Sequence, residues 1–277
     1  MTESFRIVFL GTPEFAVASL DALVRAGYPV VGVVTAPDRA AGRGRKLRAP
    51  AVKEYALSKD LPVLQPEKLR DPDFLRELKA LKADLQVVVA FRMLPEVVWA
   101  MPPLGTFNLH ASLLPQYRGA APINWALIHG DTETGVTTFL IDHQIDTGNI
   151  LLQRATAIAP DEDAGDLHDR LMQLGADLVV ETVAGMESGA VSPKPQQGSD
   201  SLRHAPKLTR ENCRILWNKP ARQVQNQIRG LSPFPGAWSL LQQGSDVLNA
   251  KVYRTRLTPL PPEGHPGSIR VEGNRLF

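Results

Sequence analysis

Asn108 and His110 stand two residues apart in Thr106-Phe107-Asn108-Leu109-His110, which reads as a short buried strand. Residues i and i+2 of a strand share a face, so the amide and the imidazole point the same way and Leu109 points into the opposite layer. Two such donors suit a carbonyl oxygen that is becoming an oxyanion. A carboxylate beside them would keep the imidazole protonated or move a proton. Asp146 is the leading candidate, because Asp146-Thr147-Gly148 follows an apolar strand and leaves its side chain in a loop. The trio describes acyl transfer without a covalent enzyme intermediate. Ser112 is not set as a nucleophile, since it lacks the strained Gly-x-Ser-x-Gly turn. Asp142, His143 and Asp146 could suggest a metal, but His143 has no second His at i+4 and no cysteine nearby, so none is expected. By themselves an Asn and a His at a strand end are also compatible with a capped turn.

The elements that must position this trio alternate along the chain. Arg6 to Gly11 and Val30 to Thr35 are apolar strands around a helix from Glu14 to Ala26, a βαβ unit. Gly11-Thr12-Pro13 lacks the further glycines of a dinucleotide fingerprint. Helices are expected at Ala51–Lys59, from Asp71-Pro72 onward, at Leu94–Ala100, at Pro122–His129 and at Leu167–Ser188. Strands are expected at Pro62–Leu64, Leu85–Ala90, Thr106–His110, Gly135–Ile141 and Ile150–Ile158, the last two antiparallel across the Asp146 loop. This is a doubly wound, Rossmann-like α/β domain over residues 1–189, with ligands expected at the carboxyl ends of its strands. Residues 190–206, rich in Pro, Gly and Ser, read as a linker. A second domain occupies 207–277, with a helix at Ala221–Arg229, a break at Ser232–Gly236 and short strands at Trp238–Leu241 and Ala250–Leu257.

Hydrophobic content of 43% and charged content of 22% are those of a water-soluble globular chain, and no apolar run reaches membrane-spanning length. Cys213 is the only cysteine, which fits a reducing compartment, and no signal-peptide pattern precedes the first strand. A cytoplasmic monomer is expected. The net charge of +2 is unevenly spread: residues 207–277 carry +7 and residues 1–206 carry −5. A second basic feature lies within 36–53, where Arg39, Arg43, Arg45, Lys46, Arg48 and Lys53 face one acid, Asp38, among glycines. A long, structureless, cationic insertion suits a phosphate backbone.

The run Asn108-Leu-His-Ala-Ser-Leu-Leu-Pro-Gln-Tyr-Arg-Gly-Ala-Ala-Pro-Ile123, with Asp146-Thr-Gly-Asn-Ile150, resembles the folate-dependent formyltransferases, and within them those acting on methionyl-tRNA. The resemblance extends from Ile7 into the C-terminal region. It implies 10-formyltetrahydrofolate as cosubstrate, no metal, and initiator methionyl-tRNA as the acceptor partner. It places tetrahydrofolate at Ser112, Leu113, Leu114 and Pro115, and makes 39–48 the loop that enters the tRNA acceptor stem. It also implies a small OB-like β-barrel in the C-terminal domain, of which strands would still be missing at Phe277. Where the family commonly has Ala-Tyr-Gly, this chain has Ala90-Phe91-Arg92. The glycine would have allowed close backbone approach to folate, whereas Arg92 points outward or meets the folate's glutamate tail.

Three rivals follow from the same residues. A glycinamide ribonucleotide formyltransferase would need a phosphate-gripping turn after the first strand, where Pro13 lacks an N–H and Glu14 repels phosphate. A sugar-nucleotide formyltransferase would leave the basic loop unexplained. A non-catalytic tRNA-binding protein would leave the buried Asn/His pair as an uncompensated polar cost.

Overall fold

The computed structural model describes residues 4–41, 46–198, 201–258, 264–273 and 275–276. In chain order the elements are β1 (Ile7–Gly11), α1 (Glu14–Arg25), β2 (Val30–Val34), β3 (Arg39–Ala41), β4 (Lys46–Arg48), α2 (Ala51–Ser58), β5 (Val63–Leu64), α3 (Pro72–Ala80), β6 (Leu85–Val89), α4 (Glu96–Trp99) and β7 (Thr106–His110). Then come β8 (Arg118–Gly119), α5 (Pro122–His129), β9 (Glu133–Leu140), β10 (Ile150–Ala157), α6 (Ala164–Glu187), β11 (His204–Ala205), α7 (Ala221–Leu231), β12 (Ala237–Gln243), β13 (Asp246–Val252), β14 (Val271–Glu272) and β15 (Arg275–Leu276).

Seven strands form one sheet in the order β10-β9-β7-β6-β1-β2-β5. The strands from β7 to β5 run parallel, and β9 and β10 are antiparallel additions beyond β7. Chain order reverses at β1, which has β2 on one side and β6 on the other, and the carboxyl ends of these strands open the crevice where α/β sheets bind ligands. The period of two along each strand divides the core. Ile7, Phe9, Val87, Phe107 and Leu109 pack under α1, α2, α5 and α6, while Val8, Leu10 and Val88 pack under α3 and α4. Leu109 closes so tightly on α6 that a Cβ at Gly175 would lie 2.6 Å from its Cδ2. Asn108 and His110 consequently face the α3–α4 side.

Two helix boundaries show local chemistry at work. Asp71 accepts N–H bonds from Asp73 and Phe74 with Pro72 at the first helical position of α3. The last helix of the first domain starts at Ala164, three residues before the periodic pattern begins, because Asp163 and Asp166 form a reciprocal capping box.

The basic segment is more ordered than a structureless insertion. Its ends pair as the antiparallel ribbon β3–β4, with Arg39 opposite Arg48. Arg43 and Arg45 lie outside the described residues. Residues 190–206 also do more than link. Ile150 and Lys194 exchange backbone hydrogen bonds at 2.8 Å, and β11 pairs in parallel with β8. In the C-terminal part α7 rests on α5: Asn124 donates to the Gly230 carbonyl at 2.7 Å, and Arg229 donates to the carbonyls of Ala159 and Glu162. Its strands form two separate ribbons, β12–β13 and β14–β15, and no barrel closes among the described residues. No helix among the described residues is long and apolar enough to cross a membrane.

Candidate active site

The strand β7 delivers Asn108 and His110 to its carboxyl end on one face, flanked by Val88 of β6 and by Phe139 and Thr137 of β9. His110 is 6% exposed, whereas Asn108 is half-buried and its amide forms no hydrogen bond with any described residue. The imidazole orientation is set by a backbone carbonyl. Nε2 lies 2.8 Å from the oxygen of Tyr117, which can only accept, so Nε2 carries a proton and Nδ1 is the nitrogen left for chemistry. Tyr117 reaches this place through a left-handed backbone (φ 60°).

Nδ1 of His110 faces the Asp146 carboxylate at 3.8 Å. That is beyond hydrogen-bond length but within ion-pair range, so the carboxylate and the ring nitrogen face one another without a direct hydrogen bond. The Asp146 carboxylate accepts the Gly119 N–H at 2.9 Å. Asp146 itself is left-handed (φ 55°), an uncommon conformation for a residue other than glycine. The tight turn also needs Gly148, where a Cβ would lie 1.7 Å from the Leu140 carbonyl oxygen. Gly148→Ala should therefore displace the Asp146 loop, lowering turnover sharply and costing about 1–3 kcal/mol of stability by overpacking, measured by denaturant unfolding beside an activity assay.

The segment Ser112–Pro115 is held from beneath. Thr137 donates to the Ser112 carbonyl at 2.6 Å and accepts the Leu114 N–H, and Gln153 donates to the Leu114 carbonyl at 2.9 Å. Ser112 is fully buried and its hydroxyl donates to the Gln116 carbonyl at 2.6 Å. Leu114 is buried as well, while Leu113 and Pro115 are half-buried. This segment therefore offers shape and two half-buried side chains, and its one hydroxyl is already engaged. Around the strand ends Met93, Val97 and Ile145 are exposed by 72%, 48% and 60%. Arg92 neither stands free nor enters the crevice interior: it donates to the backbone carbonyls of Glu67, at 2.8 Å, and Pro66.

A second cluster lies beside the first. Tyr117 donates through its hydroxyl to Asp131, which also pairs with Arg203. Burial, and after it the Asp131 hydrogen bond, push the Tyr117 phenol up to about 12, so it stays a donor at neutral pH. Its ring stacks on His129 at 5.7 Å. The described residues contain no His/Cys/Asp/Glu group arranged to hold a metal.

The basic ribbon supplies a third feature. Arg39 and Arg48, both exposed, sit directly opposite one another, an arrangement that destabilises a ribbon unless an anion neutralises it. The nearby acid Asp38 is committed to Lys53 (2.7 Å) and Gln65 (2.8 Å). Partial burial, and after it the charge of Arg39, lower the pKa of Arg92.

A family model for the formyl transferases matches residues 5–183, and one for the formyl transferase C-terminal domain matches residues 207–276. A methionyl-tRNA formyltransferase of Flavobacterium johnsoniae is 56% identical over 255 residues, which is 92% of this chain and 81% of the relative. One from Bacteroides fragilis is 54% identical over 279 residues, 99% of this chain and 86% of the relative. The chain belongs to the methionyl-tRNA formyltransferase family. The same fold occurs in an N-formyltransferase from Helicobacter canadensis solved with folinic acid and dTDP-3-aminofucose, at TM-score 0.63 and 23% identity, covering 82% of this chain and 80% of that one. It occurs again in a glycinamide ribonucleotide transformylase from Symbiobacterium toebii, at TM-score 0.60 and 21% identity, covering 71% and 96%.

Sequence reasoning missed Tyr117, Arg118 and Gly119, although all three lie inside the quoted motif. Gly119 was the most discoverable, as a glycine following a charged residue at the end of a loop. Its φ is 125°, and a Cβ at this position would lie 2.5 Å from the Ala205 carbonyl oxygen, so no side chain fits.

Proposed function

We infer that the chain transfers a formyl group to the α-amino group of methionyl initiator tRNA, supplying the formylated residue for translation initiation. The observation that carries this reading is the membership in the methionyl-tRNA formyltransferase family together with the Asn108, His110 and Asp146 cluster at the carboxyl end of β7. The cosubstrate is of the folate type, and we assign it as 10-formyltetrahydrofolate, held against Ser112, Leu113, Leu114 and Pro115 and the exposed apolar side chains at the strand ends. When bound, it supplies the formyl carbon. The protein's own groups then do three things. The Asn108 amide N–H and a proton on His110 Nδ1 hold the formyl oxygen as negative charge develops. The Tyr117 carbonyl keeps the imidazole from rotating. The Asp146 carboxylate faces the imidazole and takes the proton released by the attacking amine; as the new C–N bond to the methionyl nitrogen forms, the bond from the formyl carbon to the donor nitrogen breaks, and that proton passes to the donor nitrogen so that tetrahydrofolate leaves neutral. Direct attack by the amine leaves no covalent step for the protein.

Residues 1–189 form the catalytic domain in this reading, 190–206 connect it, and 207–277 form the tRNA-binding domain, which among the described residues is a helix with two β ribbons and not a closed OB-like barrel. The protein acts as a cytoplasmic monomer. Arg39, Arg43, Arg45, Lys46 and Arg48 grip the phosphates of the acceptor stem, and the unneutralised pairing of Arg39 with Arg48 supports that role. Each phosphate neutralised releases counterions, so affinity for methionyl-tRNA should fall steeply with salt. A variant carrying Arg43→Ala, Arg45→Ala and Arg48→Ala should bind more weakly and show a log affinity–log salt slope smaller by about two to three. Equal slopes and equal affinities would remove the loop from the RNA interface.

A further inference from the structure

We propose that Gln196, on the segment leaving the catalytic domain, is a positioning residue for formyl transfer. Its side chain ties together the two structures that hold the Asp146 carboxylate. Both hydrogens of its amide are used: Nε2 donates to the carbonyl of Asp146 at 2.9 Å and to that of Gly148 at 2.9 Å. Its Oε1 accepts from Arg118, from Nε at 3.1 Å and from the terminal nitrogen at 2.6 Å. The orientation is unambiguous, because two carbonyls demand the NH2 and a guanidinium demands the oxygen.

Arg118 immediately precedes Gly119, whose N–H holds the Asp146 carboxylate. One amide therefore fixes both the backbone under Asp146 and the strand that aims its side chain. The loop needs such a clamp, because Asp146 is left-handed and would relax to other conformations if released. Gln196 is in turn held in place by the Ile150–Lys194 backbone pair two residues away. Farther along the same segment the Arg203 carbonyl accepts the Tyr117 N–H at 2.7 Å, and Tyr117 is the residue whose carbonyl orients His110. The segment thus touches the supports of both the carboxylate and the imidazole, and Gln196 is its contact with the carboxylate.

This role rests on the formyl-transfer reading above. The test is steady-state and single-turnover formylation of methionyl-tRNA by the full chain and by Gln196→Ala, Gln196→Glu and Arg118→Met, alone and combined with Asp146→Asn. Gln196→Ala should lower kcat by about tenfold to a hundredfold, the scale expected when a catalytic group is misplaced, with KM for both substrates little changed. Gln196→Glu should do no better, although it keeps Arg118 paired, since a carboxylate cannot donate to the two carbonyls. Arg118→Met should cause a smaller loss of the same kind. In the Asp146→Asn background Gln196→Ala should cost little more, because groups acting as a unit are non-additive. A wild-type chain that formylates no methionyl-tRNA would sink the underlying reading. A wild-type chain that does, with Gln196→Ala at full kcat or with its loss undiminished beside Asp146→Asn, would overturn the positioning role. Thermal unfolding of each variant separates a fold defect from a kcat defect, and Gln196→Glu and Arg118→Met keep the test open if Gln196→Ala is unstable.

Discussion

Replacing Asn108 or His110 by alanine is expected to lower turnover by about a hundredfold or more, the range seen when one donor to a developing oxyanion is lost. The two variants differ in what else they disturb. Asn108 is half-buried and its amide engages no described residue, so its removal leaves packing almost intact and the loss should be purely one of turnover. His110 is buried and donates to the Tyr117 carbonyl, so its removal also leaves a carbonyl without its partner and should lower stability as well. Single-turnover formylation with saturating donor and tRNA reads the chemical step, and a thermal melt reads the fold. Near-wild-type turnover in either variant would remove that residue from the site.

The second large effect belongs to Asp146. Asp146→Asn keeps the size and can still accept the Gly119 N–H through its amide oxygen, so the loop should hold its shape. What disappears is the negative charge 3.8 Å from His110 Nδ1. With Nε2 committed to the Tyr117 carbonyl, Asp146 is the carboxylate that faces the other ring nitrogen, and the proposed mechanism assigns to it the proton released by the amine. Turnover should drop on the order of a hundredfold or more, the scale expected when a group that stabilises charge in the transition state is lost. Affinity for tRNA, which the proposal assigns to the basic segment at 39–48, should not weaken. A variant with wild-type turnover would leave Asp146 as a turn residue and nothing more.

Much of the α/β domain was legible because its signals are local. Short apolar runs rich in β-branched residues such as Leu85–Val89 and Ile7–Gly11 read as buried strands, and the period of two is enough to place Asn108 and His110 on one face. The pairing of β9 with β10 across the Asp146 loop follows from the same kind of pattern. Illegible parts depend on contacts across the chain. Gln196 reaches Asp146 from 50 residues away, and its surroundings read as a linker because Pro193, Pro195, Gly198 and three serines interrupt them. Ser112 lies in the segment read as the folate contact, and that its hydroxyl is engaged by the Gln116 carbonyl is something no spacing rule reveals. Arg92 is similar: its partners are backbone carbonyls at 66 and 67, set by tertiary structure alone. The ribbon within the basic segment is hidden from sequence since three-residue strands carry too little pattern to separate from loop.

The measurement that bears most directly on the central claim is acceptor competition. The protein is mixed with formyl-labelled 10-formyltetrahydrofolate and, in parallel, with methionyl initiator tRNA, the same tRNA uncharged, glycinamide ribonucleotide and an amino-sugar nucleotide. The account predicts label on the methionyl α-amine of the charged tRNA, none on uncharged tRNA, and at most slow transfer to the small amines, with the rate of labelling lowered about a hundredfold or more by Asp146→Asn. Rapid transfer to a small amine with no formylated methionyl-tRNA, or binding of the tRNA without any transfer, would contradict it.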